Sequence, residues 1–181
     1  ELNEYLAFEI GSAINIRKTR EILLNLWVRE NEGNKEIRDL ALKTYKNTES
    51  VNNRLALHWC MIMLSYPIFN DVNGLIGKII TMQDTFTSSW LREKIYEVWG
   101  ERATLLHSLP KIMQTLTNIN VVEKVKLGVY QVKQYPVLDK ETIKVLVLTI
   151  LATGNNAYYE VPRLSTIPQM YPFVFDVSNE W

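Results

Sequence analysis

The chain has 181 residues, 47% of them hydrophobic and 22% charged, and its twenty basic and twenty acidic side chains cancel. That length and balance suit one domain or two small ones with a real core, and exclude wholesale disorder. Net neutrality excludes a surface that draws polyanions everywhere, so any nucleic-acid contact must come from a local patch.

A single cysteine, Cys60, cannot form an internal disulfide and lies in the apolar run His58-Trp59-Cys60-Met61-Ile62-Met63-Leu64, where a buried thiol is expected. The opening residues Glu1-Leu2-Asn3-Glu4 show no basic region before an apolar core, so no secretory signal is read there. The longest apolar run, about 56–69, is too short to span a bilayer. The expectation is a cytoplasmic protein without membrane association.

In chain order the pattern is helical. Ile22, Leu23, Leu26 and Trp27 share a helix face, with an end expected near Glu32-Gly33-Asn34, where Gly33 suits a C-cap. Ile37, Leu40, Ala41 and Tyr45 mark a second helix, and Val51, Leu55, Trp59 and Ile62 a third that stops before Pro67. Val72, Leu75, Ile76, Ile79 and Ile80 form an i, i+3, i+4, i+7, i+8 stripe with Asp71 placed as N-cap. Gly74 and Gly77 have the spacing of a nucleic-acid-binding GxxG loop, but inside that stripe close helix packing is the stronger reading.

A further helix is expected over Ser88 to Trp99, then a turn at Gly100-Glu101-Arg102. A helix follows with apolar positions Leu105, Leu109, Ile112, Leu116 and Ile119. At Val121 the apolar period shifts toward two: Val121 to Val125 and Val129 to Val132 flank Lys126-Leu127-Gly128, which reads as a β-hairpin. Pro110 requires the second helix either to begin late, with Ser108 as N-cap, or to kink. Asp139 caps a helix with interior Ile143 to Leu151, apolar on most faces and so central to a core. In the tail, Tyr158 to Pro168 suits a short Pro-interrupted helix, and Phe173 to Val177 a strand that pairs with the hairpin.

Helix, Gly turn, helix and hairpin in succession are the parts of a winged helix-turn-helix. The predicted fold is therefore mainly α: a helical N-terminal part over 1–66, and a C-terminal winged helix with a small β-hairpin over 71–181. On the predicted recognition helix the face away from the apolar stripe carries Thr104, His107, Ser108, Lys111, Gln114, Thr115 and Asn118. Lys, Gln and Asn are types that reach base edges and phosphates. Arg102 in the turn, with Lys124, Lys126 and Lys133 around the hairpin, is placed for phosphates. Over 87–133 seven basic residues face four acidic ones, a local excess of three in a neutral chain. Arg17-Lys18-Thr19-Arg20 is the densest basic cluster, either a solvated helix turn or a second phosphate contact through Arg17 and Arg20.

Two histidines, one cysteine and no HExxH or CxxC spacing give no readable metal site. No phosphate-cradling Gly-rich loop and no assignable Ser/His/Asp set point to an enzyme or to a cofactor. His58, beside Trp59, reads as a satisfied core side chain, and the tryptophans occupy apolar helix positions.

Trp99-Gly100-Glu101-Arg102, the helix after it, Val121-Val122 and Gly128-Val129-Tyr130 together resemble the winged-helix DNA-binding superfamily. Ala13 to Glu21, followed by a mid-chain helix ending in tyrosine over Leu55 to Tyr66, resembles the small BrxA-type proteins of bacterial phage-defence (BREX) loci. The resemblance implies a non-enzymatic protein that binds double-stranded DNA. The rival reading is an interaction module whose helices pack on the subunits of a larger complex.

Overall fold

The computed structural model describes residues 2–29, 32–154, 156 and 158–177. It is mainly helical. Five helices come first: α1 (Leu2–Ala7), α2 (Ala13–Trp27), α3 (Lys35–Asn47), α4 (Val51–Ser65) and α5 (Pro67–Ile79). Strand β1 (Thr85–Thr87) leads into α6 (Ser88–Trp99) and α7 (Ala103–Asn118), then the hairpin β2 (Val122–Lys126) and β3 (Val129–Val132). Strand β4 (Tyr135–Pro136), helix α8 (Lys140–Thr153), two 3-10 turns (Val161–Thr166 and Pro168–Met170) and β5 (Phe173–Val174) complete the described chain.

Helix α8 sits at the centre, against α3 and α4. Asp139 starts it, accepting from the Thr142 N–H at 2.8 Å, and seven of its residues are buried, as an all-round apolar helix must be. Trp59 of α4 is fully buried and meets Phe69, Phe173 and Tyr171 edge-on. One hydrophobic core runs from Leu26 on α2 to Val177, drawing on both sides of residue 66.

Several sequence expectations are corrected. Helix α2 ends at Trp27 rather than near Gly33, and 32–34 form a separate 3-10 turn that leads into α3. The early stop lets the chain turn so that Ala41 and Thr44 of α3 reach the interior beside α8. Helix α5 begins at Pro67, not after Asp71, because proline suits the first helical turn. Asp71 is thereby placed inside the helix, where it accepts from Trp99 Nε1 at 2.8 Å. The close-packing reading of the two α5 glycines agrees with the geometry: a Cβ on Gly77 would stand 1.9 Å from the Pro168 carbonyl oxygen.

The tail strand does not join the hairpin. Phe173–Val174 pairs in parallel with Tyr135–Pro136, held by the Tyr135 N–H on the Pro172 carbonyl at 3.0 Å. Phe173 is drawn to Trp59 in the core, which keeps the tail away from the sheet. The outer edge of β3 goes instead to β1, which periodicity did not reveal, so the three-stranded antiparallel sheet has the order β1-β3-β2. Among the described residues no helix is long and apolar enough to cross a membrane.

Candidate nucleic-acid interface

Helix α6 starts where the Thr87 hydroxyl accepts from the Trp90 N–H at 3.1 Å, satisfying one of the donors a helix start leaves unpaired. The Ser88 N–H donates to the Gly128 carbonyl at 2.9 Å, tying that start to the hairpin turn. Leu91 and Ile95 bury the inner face. The chain reverses at Gly100, whose φ of 73° is left-handed backbone that suits glycine, and α7 begins at once.

Along α7, Leu105, Leu109, Met113 and Leu116 are buried. The helix is continuous from Ala103 to Asn118 with Pro110 inside it. The late-start alternative is thereby corrected: Ser108 is within the helix, and its hydroxyl donates to the Thr104 carbonyl at 2.8 Å rather than capping anything. The cost of Pro110 is met on the solvent side, where it is exposed and water can take the carbonyl it leaves unpaired.

The burial pattern turns His107, Lys111, Gln114 and Asn118 outward on one stripe, at i, i+4, i+7 and i+11. Thr104 and Thr115 flank it and are exposed. The Thr115 hydroxyl donates to the Lys111 carbonyl at 2.9 Å, so its proton is already engaged. Arg102 is exposed at the N-cap position of α7.

Between α6, α7 and the hairpin lies a cleft of about 420 Å³. It brings together Gln114, Asn118 and Lys124, all expected from the sequence, with Ser88, Arg92 and Tyr130. Its floor is apolar, from Leu105, Leu109 and Met113. Arg92 was legible only as a charge, because the face that α6 turns toward α7 is set by how the two helices cross.

The electrostatics follow from which charges are already paired. Glu97 is bound to Lys94 at 2.7 Å and Glu123 to Lys133 at 3.4 Å. Lys133 also donates to Asn120 Oδ1 at 2.7 Å, so this lysine holds the end of α7 to the hairpin rather than standing ready for a phosphate. Among the described residues, the side chains of Arg92, Arg102, Lys111, Lys124 and Lys126 enter no ion pair or hydrogen bond. Lys111 on the α7 stripe, Arg102 at the helix start, Arg92 and Lys124 at the cleft and Lys126 on the hairpin are therefore uncommitted cations, opposed by exposed Glu93 and Glu101.

Arg17 and Arg20 lie elsewhere, on α2, whose main packing partners are α1 and α4. Arg17 is exposed. Arg20 is engaged by Glu21 at 3.3 Å and reaches Asn3 at 3.5 Å. Arg29, and then Arg20, hold the Glu21 carboxyl below the usual range. Among the described residues no cluster of His, Cys, Asp and Glu could hold a metal ion. Cys60 is fully buried, and burial pushes its thiol up to about 12, so it carries no nucleophile at neutral pH. Compared with known proteins, the chain matches no family model, no curated protein and no solved structure.

Proposed function

We propose that β1, α6, α7 and the β2–β3 hairpin form a winged helix-turn-helix that binds double-stranded DNA without catalysis. The observation that carries this reading is the set of five unpaired cations on α6, α7 and the hairpin, one of which, Lys111, lies in an outward stripe of His, Lys, Gln and Asn on α7. An α-helix is about 10–12 Å across with its side chains, and the major groove is about 12 Å wide, so α7 can lie in it. Gln114 and Asn118 then reach base edges, with Lys111 on a base or phosphate. Arg92, Arg102, Lys124 and Lys126 neutralise phosphates on either side. The resemblance of Ala13 to Glu21 and Leu55 to Tyr66 to BrxA-type proteins supports a place in bacterial phage defence.

The test is a fluorescence-anisotropy titration of labelled duplex at several salt concentrations. Binding should be strongest near 50 mM salt and fall linearly on a log–log plot, as counterion release requires. Lys126→Ala should weaken binding to all duplexes alike and lower the slope by about one. Gln114→Ala should cost about 1–3 kcal/mol on a preferred site and little on random sequence. Failure of the wild type to bind at low salt would overturn the proposal. That result would favour the interaction-module reading, for which a separate observation speaks: Tyr5 on α1, Phe8 just past its end and Ile14 on α2 are 72%, 86% and 60% exposed.

A further inference from the structure

The tip of the hairpin carries an apolar side chain where folding has no use for one. Leu127 is 89% exposed, the highest value for any large hydrophobic among the described residues, and Val125 behind it is 54% exposed. Leu127 and Gly128 form the turn, and Gly128 supplies the left-handed backbone with φ 72°. A polar residue would serve that turn at least as well. The tip is also braced. The Ser88 N–H holds the Gly128 carbonyl, Thr87 pairs with Val129, and Phe86 stacks on Tyr130 with ring centroids 5.8 Å apart.

Strand β2 carries an irregularity that redistributes its charges. Lys124 lies opposite Tyr130, but Lys126 lies opposite Val129, so β2 has one residue more than its partner. Consecutive residues of β3 point to opposite faces, and so therefore do Lys124 and Lys126. In a regular strand these two, at i and i+2, would share a face. Lys124 faces the cleft with Gln114, and Lys126 is exposed on the other side of the hairpin. Neither has an ionic partner among the described residues.

We infer that this hairpin tip is a wedge for the minor groove of duplex DNA, with Leu127 entering against a base step and one lysine facing each phosphate strand. The inference rests on the duplex-binding reading above. The minor groove is a slot about 6 Å wide with phosphates along both walls, which matches a thin apolar edge with a cation on each face. A lipid surface presents its phosphates in one plane and would be met best by lysines on one face. An apolar wedge at a base step unstacks it and kinks the duplex by roughly 20–90°. Flexible TA steps should be the easiest to open.

The experiment uses the full chain and a duplex of about 20 bp with a central TA step, carrying donor and acceptor dyes at its ends. Anisotropy reads binding and energy transfer reads bending on the same sample. Saturating wild type should raise the transfer efficiency. Leu127→Ser, at a fully solvated turn, should keep its Kd within about threefold and lose the rise, since phosphate contacts dominate affinity. Leu127→Ala should behave the same way. The Lys124→Ala, Lys126→Ala double variant should bind at least about tenfold more weakly, yet give the full rise once saturated. Bending by Leu127→Ser equal to wild type, or binding by wild type without bending, overturns the wedge and leaves duplex binding intact. No binding by wild type overturns both readings. Binding of wild type to phosphatidylserine vesicles, lost in Leu127→Ser, reassigns the tip to a membrane and overturns the wedge.

Discussion

Arg38 on α3 is only 6% exposed, and its Nε and Nη1 find no hydrogen-bond partner. A buried guanidinium with two of its nitrogens unpaired forfeits hydration with little in return. Arg38→Met keeps most of the stem's packing and removes the charge, so it should stabilise the protein by about 1–3 kcal/mol in a urea titration. A loss of stability would mean that a carboxylate or carbonyl holds the guanidinium after all. His58 makes a titration prediction. Its Nδ1 accepts from Trp27 Nε1 at 3.1 Å, its ring meets Trp27 and Tyr45 edge-on, and burial lowers its pKa from 6.5. The unfolded chain therefore takes up a proton at a higher pH than the folded one. The contribution of neutral His58 is present above about pH 6.5 and is lost as the pH falls toward the folded value. Stability should decline from pH 7 to pH 5 in denaturant titrations, and His58→Gln should flatten that decline. An unchanged slope would remove His58 as its source. The sequence reading of His58 as a satisfied core side chain agrees with this contact in its hydrogen bond, but the ring is half-buried at the edge of the core rather than within it.

Helix α7 shows how far an apolar pattern reaches at the scale of an element. Steps of four and three placed Leu105, Leu109 and Leu116 inward, and all three are buried. Pro110 lay outside that logic, because periodicity says nothing about whether neighbours hold a helix together through a proline. An interior proline costs about 3 kcal/mol, offset by about 0.4–1 kcal/mol through its stiffening of the unfolded chain. Pro110→Ala should therefore stabilise the protein by roughly 2 kcal/mol, read as a raised urea midpoint. No gain would mean that the helix has already relaxed around the proline. Strand β1 was missed because three residues, Thr85-Phe86-Thr87, are too few to show a period. Its place is fixed by β3: Phe86 is buried against the Tyr130 ring. Phe86→Ala should cost about 3–5 kcal/mol and speed amide exchange over 129–132. Unchanged protection of those amides would show that the hairpin stands without β1.

One core runs through the described residues, with α3, α4 and the turn at 168–170 packed against α8. Leu146 is fully buried at its middle, and Leu146→Ala should cost about 2–5 kcal/mol. Because the core is continuous across residue 66, urea unfolding should be a single transition with coincident tryptophan fluorescence and circular dichroism curves. Separated transitions would show that the two sides unfold independently. The sequence by itself determined the helical class, the outward stripe of α7, the Asp139 cap and the hairpin after α7. Each is written in residues close along the chain, through apolar period and turn chemistry. Tertiary structure alone decided that Lys133 is tied to Glu123 and Asn120, that Arg92 opens into the cleft beside Gln114, and that the tail strand pairs with residues 135–136. Those outcomes depend on which groups meet across long sequence separations. That is set by how the helices cross and by the order in which the strands pair, and neither is encoded in any local period.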